Sequence, residues 1–139
     1  MTDTKVFFED YKDFIYSVTA DVSKSDELFE QRFKLLSEKL KGRYSRMDNS
    51  IAGLAGEAGE VADMWKKIKF HSLEYNDETR EKLIKELGDI CWYLFSVADV
   101  LDISVEEIIN KNIAKLKARH AHGFSPEYMK NTVLKKEDQ

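Results

Sequence analysis

The amino-acid sequence predicts an all-α fold, a helical bundle of about five helices that form one domain over residues 1–139. Helix-breaking residues are rare, with six Gly and one Pro among 139 residues, and this favours long helices. Hydrophobic residues make up 42% of the chain and charged residues 35%, which suits an apolar core with a charged surface. Apolar residues also recur at helical spacing, and no internal repeat is visible.

The first two helices are predicted over residues 4–20 and 26–41, where apolar side chains form one stripe on each helix. The stripe residues are Phe7, Phe8, Tyr11, Phe14, Ile15 and Val18 in the first helix and Leu28, Phe29, Phe33, Leu36 and Leu40 in the second. A polar break at residues 21–25 separates the two helices. Gly42 is expected to end the second helix, because glycine readily adopts the left-handed conformation at a helix end.

The third helix is predicted to begin with Asp48 or Asn49 as its N-cap and to run to about Phe70. It contains Gly53, Gly56 and Gly59. Each glycine costs ~1 kcal/mol of helix propensity, so we expect the close approach of another backbone or of a ligand to compensate. A fourth helix is predicted over residues 79–101, after a polar turn at residues 75–78.

The fifth helix is predicted to begin at Ser104, which would form a capping box with Glu107. Its end is expected near Gly123, with Pro126 just beyond. Residues 134–139 are expected to be frayed.

The charge balance and the cysteine content limit the partners and the compartment. A formal net charge of −4 gives no overall positive field to attract a nucleic-acid polymer. No segment resembles a signal peptide or approaches the ~20 apolar residues of a membrane span. The one cysteine, Cys91, lies in an apolar run at residues 90–95, which predicts a buried position and a reducing compartment. We therefore expect a cytoplasmic protein with no membrane partner.

Four acids are predicted to lie on the apolar faces of the third and fourth helices. Residues three apart project from nearly the same side of a helix, and Glu57 and Glu60 fall within the apolar stripe of the third helix. Glu86 and Asp89 take the equivalent positions on the fourth helix. Buried unpaired charges are costly, so we expect a divalent cation, and oxygen ligands favour Mg²⁺ or Mn²⁺ over Zn²⁺. The competing interpretation is that these acids lie at helix edges and pair with Lys or Arg.

A polar and cationic row borders the apolar stripe of the fifth helix. It consists of Asn112, Lys115, Arg119 and His122, with Lys111 beside it. Arginine offers a planar bidentate fork and lysine a mobile charge, a combination that suits a polyphosphate. Lys66 and Lys67 would add to this charge, although lysines in the last turns of a helix are usually solvated and complement the helix dipole.

A di-iron site is the alternative for a bundle that contains carboxylates, and it requires Glu-x-x-His motifs on two helices. No Glu lies three residues before His71, His120 or His122. This alternative is therefore disfavoured, and the histidines are predicted to have surface or edge roles.

Three motifs carry a family resemblance in combination. They are Gly-Leu-Ala-Gly-Glu-Ala-Gly-Glu-Val-Ala-Asp over residues 53–63, Glu-Leu-Gly-Asp over 86–89, and Lys-Asn-Ile-Ala-Lys-Leu over 111–116, with Arg119 and Gly123-Phe124 following. With these motifs the sequence resembles the MazG-like branch of the all-α NTP pyrophosphatase superfamily over roughly residues 47–124. The segment of about residues 20–46 looks longer than in compact members.

The resemblance implies a four-helix core completed by homodimerisation, often doubled to a tetramer. It implies hydrolysis of nucleoside triphosphates to monophosphate and pyrophosphate, with Mg²⁺ held by Glu57, Glu60, Glu86 and Asp89 as the catalytic acids. The substrate-binding residues would be Lys67, Lys111, Asn112, Lys115 and Arg119, with Asn49 near the base. We expect the metal to activate a water for in-line attack at the α–β phosphate linkage, and Glu60 to contact the metal and orient that water.

Sequence spacing leaves two alternatives open. The substrate would in one case be a related nucleotide, such as a nucleoside diphosphate, a phosphoribosyl nucleotide or an alarmone. In the other case the chain would be a non-catalytic helical dimerisation module.

Overall fold

The computed structural model describes residues 4–120 and 123, and every regular element in this part of the chain is helical. The elements are α1 (Thr4–Val18), a 3₁₀ turn (Asp21–Ser23), α2 (Asp26–Lys39), α3 (Tyr44–Phe70), α4 (Asp77–Val100) and α5 (Val105–Arg119). The predicted all-α class and the number of helices are confirmed.

The long helices α3 and α4 form the main packed unit of the chain. They run antiparallel, because Arg46 near the start of α3 contacts Asp99 near the end of α4, while Lys67 and Thr79 lie together at the opposite end. Helix α2 contacts the 3₁₀ turn and, less extensively, α3. Within the described residues, α1 and α5 have no extended packing interface with another helix.

Side-chain caps fix the start of three helices. Ser25 accepts a hydrogen bond from the Leu28 amide at the start of α2. Ser104 accepts one from the Glu107 amide at the start of α5, which is the Ser104 half of the predicted capping box. The Glu107 carboxylate lies 2.9 Å from Lys111 Nζ. The reciprocal capping box occurs instead at α4, where the side chains of Asn76 and Thr79 each accept from the other's backbone amide.

Helix α3 begins at Tyr44, so the predicted N-cap at Asp48 or Asn49 was wrong. Its N-cap residue is Arg43, which makes no side-chain cap. Arg43 instead donates to both carboxylate oxygens of Asp102, at 2.9 and 2.8 Å, and to the Asp99 carbonyl at 2.8 Å. Contacts with the end of α4 therefore anchor the first turn of α3, and no local cap is needed to begin it.

Further ion pairs join the α2–α3 connection and the first turn of α3 to the end of α4 and the residues that follow it. Lys41 Nζ lies 2.6 Å from Asp102, and Arg46 lies 2.6 Å from Asp99. Hydrogen bonds from Arg43 and then Lys41 hold the pKa of Asp102 well below its usual range. Gly42 has a φ of 78°, which confirms the predicted left-handed end of α2.

The core of the single chain is small. Among the described residues only Ser50, Thr79, Ser96, Ala98 and Val100 are buried. The outer face of α4 exposes Ile84, Leu87, Trp92 and Phe95. Cys91 is exposed as well, so its predicted burial was wrong for the single chain. Helix α4 is apolar on more than one side, and α3 covers only one of them.

Helix α5 ends at Arg119, with His120 as its C-cap, before the predicted end near Gly123. Gly123 itself has a φ of 86°, a conformation that glycine adopts without strain. The predictions for His122, Phe124, Pro126 and the tail at 134–139 lie outside the described residues. Within the described part of the chain, no helix is both long and apolar enough to cross a membrane.

Candidate metal centre

Three acids from the two packed helices converge on one point. Glu57 of α3 and Glu86 and Asp89 of α4 each offer a carboxylate oxygen, and these oxygens lie within 4.8 Å of one another. Glu57 and Glu86 are half-buried between the helices, whereas Asp89 is exposed. We call Glu57, Glu86 and Asp89 the acidic group. The helical-wheel prediction that these acids face a shared interior is confirmed for Glu57 and Glu86.

The pKa of Glu57 is raised above its ordinary value. The largest cause is its burial, followed by the negative charges of Asp89, Glu86 and Glu60 and a hydrogen bond with Glu86. Burial and the neighbouring negative charges therefore disfavour the charged form of Glu57.

Glu60 is exposed and lies at the edge of the acidic group, not in the middle of an inward face. It lines a neighbouring cavity of about 210 Å³. Its charge contributes to the raised pKa of Glu57 and to that of Lys67. Glu60 is one turn beyond Glu57 on α3 and is close enough to share the field of the acidic group without joining its shortest contacts.

The acidic group fits a hard divalent cation. Its members supply carboxylate oxygens, the ligand type that Mg²⁺ and Mn²⁺ prefer. They come from two helices held together by packing along much of their length, so the oxygens are brought together before any ion binds. A bound cation would also offset the neighbouring negative charges that, after burial, raise the pKa of Glu57.

Lys66 and Lys67 pair with an acid on their own helix. Lys66 contacts the Asp63 carboxylate, and Lys67 Nζ lies 2.7 Å from it. Hydrogen bonds from Lys66 and then Lys67 lower the pKa of Asp63 to about 2. Lys67 also lines the cavity beside Glu60, so it is the predicted substrate-binding cation that a single chain places nearest the acids.

The cations of α5 lie apart from the acidic group. Lys111, Asn112 and Lys115 line an open groove of about 430 Å³ together with Ile108 and Ile109. The predicted polar stripe beside an apolar arc is therefore present on α5. Arg119 is exposed at the last position of this helix. Because α5 has no extended interface with α3 or α4 among the described residues, the structure collects the acids without these cations.

Asn49, predicted to lie near the base, is exposed on the first part of α3. It is about two turns before Glu57 on the same helix. Base recognition by Asn49 stays a prediction.

Tyr93 is a site neighbour that the sequence indicated only indirectly. A Cβ added to Gly53 would lie 2.2 Å from Cζ of Tyr93, so the tyrosine ring of α4 occupies the space that a side chain on α3 would need. A close approach therefore occurs at Gly53, but a side chain makes it and not the backbone or ligand that was predicted. A Cβ added to Gly56 or to Gly59 would have no such neighbour within 4 Å.

Lys82 was missed by the sequence analysis. It lies on α4 one turn before Glu86 and lines the cavity beside Glu60. Its position four residues before a metal-ligand candidate was the available signal.

Within the described residues, carboxylates from two packed helices meet at one point, an arrangement that metal-binding helical bundles also use. The family profile described as the MazG nucleotide pyrophosphohydrolase domain matches residues 45–124. This is more than half of the chain, and the chain belongs to this family. The resemblance drawn from the motifs is confirmed, and it points to a nucleotide pyrophosphohydrolase activity. The matched segment contains α4, α5 and all of α3 except its first residue, while α1 and α2 precede it.

The chain is also similar to the Gene 37 protein of Mycobacterium phage L5, with 39% identity over 72 residues. This alignment covers 51% of the chain and 63% of the phage protein, so the chain spans less than two thirds of that relative. No solved structure matches the chain.

Proposed function

We propose that the protein is a cytoplasmic enzyme that hydrolyses nucleoside triphosphates, NTP or dNTP, to monophosphate and pyrophosphate, as part of nucleotide-pool housekeeping. The observation that carries the proposal is the convergence of Glu57, Glu86 and Asp89 within 4.8 Å in a chain of the MazG nucleotide pyrophosphohydrolase family.

Mg²⁺, with Mn²⁺ as a substitute, would be held by Glu57, Glu86 and Asp89, with Glu60 at the edge of the site. Such an ion supplies charge stabilisation at the phosphates and a more acidic water for attack at the α–β linkage. Family membership supports a divalent cation, and the all-oxygen ligand set supports these two ions.

The protein's own side chains position the water and the phosphates. Glu60 is exposed to the cavity next to the acidic group, where its carboxylate accepts a hydrogen bond from the attacking water and orients it. Lys67 lies beside it and donates to a phosphate oxygen. These contacts stabilise negative charge as it develops on the transferred phosphoryl group.

The α5 residues Lys111, Asn112, Lys115 and Arg119 complete the phosphate site in a homodimer or homotetramer, and Asn49 contributes to base recognition. Two observations support assembly. The apolar face of α4 is exposed in the single chain, and the open α5 groove that contains Lys111, Asn112 and Lys115 has no lining residue from α3 or α4. A second copy of the chain would cover the exposed face of α4, and its α5 would bring the missing cations to the acids.

The test is a product assay with the full chain, Mg²⁺ and separate NTPs and dNTPs, which measures pyrophosphate and orthophosphate. We expect pyrophosphate with monophosphate. Glu57→Gln should reduce the rate at least about 100-fold, because loss of a ligand exceeds the usual effect of losing a ligand's supporting contact. Glu60→Gln should also reduce it.

Glu81→Gln is the matched control, because Glu81 is exposed on α4 and pairs only with the adjacent Arg80 among the ion pairs of the described residues. Its rate should equal that of the wild type. Orthophosphate as the sole product would contradict the reaction class. Absence of turnover with every nucleotide would favour the non-catalytic helical module.

A further inference from the structure

The cavity of about 210 Å³ beside Glu60 lies at the end of the α3–α4 pair that is nearest the connection between the two helices. Its lining residues are Glu60, Asp63, Met64, Lys67, Leu73, Thr79 and Lys82. Glu60 lies one turn beyond Glu57 on α3, and Lys82 lies one turn before Glu86 on α4. The cavity is therefore a continuation of the candidate metal centre in one direction along the helix pair.

Two lysines enter this cavity from opposite helices. Lys67 of α3 lies 2.7 Å from Asp63, and Lys82 of α4 lies 2.7 Å from Glu78. Each partner acid is four residues earlier on the lysine's own helix, so the pairs orient the lysines without joining the helices. Both lysine side chains are 55% exposed. A lysine ammonium has three donors, so each retains donors for a ligand.

We propose that this cavity binds the terminal phosphates of the substrate, the part released as pyrophosphate, through Lys67 and Lys82. The inference rests on the proposed function, because it assigns an orientation to the triphosphate in that site. It also adds Lys82 as a binding residue. The subsite is formed by α3 and α4 of one chain, whereas the α5 cations require assembly.

The two ends of the acidic group differ in a way that supports this orientation. At the cavity end, Lys66 and Lys67 share the single carboxylate of Asp63 and Lys82 pairs with Glu78, so three ammonium groups have two carboxylate ion-pair partners and keep donors for a ligand. At the other end, the ring of Tyr93 packs over Gly53, and Tyr93 contacts Trp92 edge-to-face at 4.9 Å. A polyanion is favoured at the lysine end, and the less polar nucleoside at the aromatic end.

The experiment measures binding of inorganic pyrophosphate to the full chain by equilibrium dialysis in the presence of Mg²⁺. Lys67→Gln and Lys82→Gln should each weaken pyrophosphate binding about five- to ten-fold, because each removes a charge-assisted hydrogen bond. Nucleoside monophosphate binding should not change. Lys82→Arg should bind pyrophosphate about as tightly as the wild type, since arginine retains the charge and the donors that Lys82→Gln removes.

Lys69→Gln is the matched control, since Lys69 lies on α3 two residues from Lys67 and outside the cavity lining. It removes the same charge and should leave pyrophosphate binding unchanged. Any of three results would overturn the inference. Lys67→Gln and Lys82→Gln could both bind pyrophosphate as tightly as the wild type, Lys69→Gln could lose as much affinity as they do, or the wild type could fail to bind pyrophosphate. If no nucleotide yields pyrophosphate but binding still depends on Lys67 and Lys82, the proposed function fails and the subsite stands.

Discussion

The α3–α4 pair carries the acids of the candidate site and helix α5 carries most of its predicted cations, and the two regions differ in what one chain provides. The acids lie on two helices that pack along their length, so Glu57, Glu86 and Asp89 meet within 4.8 Å. The cations of α5 lie on a helix that has no extended interface in the described part of the chain. Packing within one chain is therefore enough to bring the candidate metal ligands together, and we propose that the α5 cations reach them from a second copy.

The largest effect should come from mixing two inactive variants. If α5 of one copy serves the acids of another, Glu57→Gln and Lys115→Gln chains should each have little activity alone. Mixed oligomers should recover up to about a quarter of the wild-type rate, because some of them contain one intact site. The measurement is pyrophosphate release after the two variants are unfolded and refolded together.

Two controls sharpen the mixing experiment. Each variant refolded alone at the same total concentration should stay inactive. Lys117→Gln, on the same helix but outside the groove lining, should be active without mixing. Failure of the mixture to recover activity would show that α5 serves the acids of its own chain, and the comparison would be wrong.

A methyl group at the contact between α3 and α4 should have the next largest effect. In Gly53→Ala the new Cβ would lie 2.2 Å from Tyr93 Cζ, and we expect a loss of about 1–3 kcal/mol in the free energy of unfolding. In Gly56→Ala the new Cβ has no such neighbour within 4 Å, so the free energy of unfolding should rise by about 0.5–1 kcal/mol because alanine has the higher helix propensity. Urea denaturation measures both.

Tyr93→Leu added to Gly53→Ala should restore part of the lost stability, because the smaller side chain leaves room for the methyl group. If Gly53→Ala were as stable as Gly56→Ala, the close packing of α3 on α4 at this position would be disproved.

The smallest effect should come from Asp102, at the junction of α4 and α5. Asp102→Asn removes the ion pairs with Arg43 and Lys41 and keeps a residue that tolerates the φ of 54° found there. The folded state lowers the pKa of Asp102, so its contribution is present above the unfolded pKa and is lost as the pH falls.

The thermal midpoint of Asp102→Asn should therefore lie below that of the wild type at pH 7. The difference should narrow as the pH falls below about 4 and when salt screens the pairs. A difference that stays constant from pH 7 to pH 3 would show that the ion pairs do not stabilise the fold.

The sequence predicted the helices and the inward acids because both depend on short-range periodicity. Glu57 and Glu86 lie within apolar stripes, and the spacing alone placed them between the helices. The exposed position of Glu60 could not be predicted in this way, because a helical wheel gives a direction but not the width of the neighbouring helix. The start of α3 was also missed, because Arg43 bonds to Asp102, 59 residues away.

The exposed thiol of Cys91 gives the chain its own reporter of self-association. It is the sole cysteine of the sequence, and it lies in the apolar run of α4 that the single chain leaves uncovered. Alkylation by a small maleimide would thus follow the fraction of unassociated copies, and slower labelling at higher protein concentration would measure their pairing without any introduced probe.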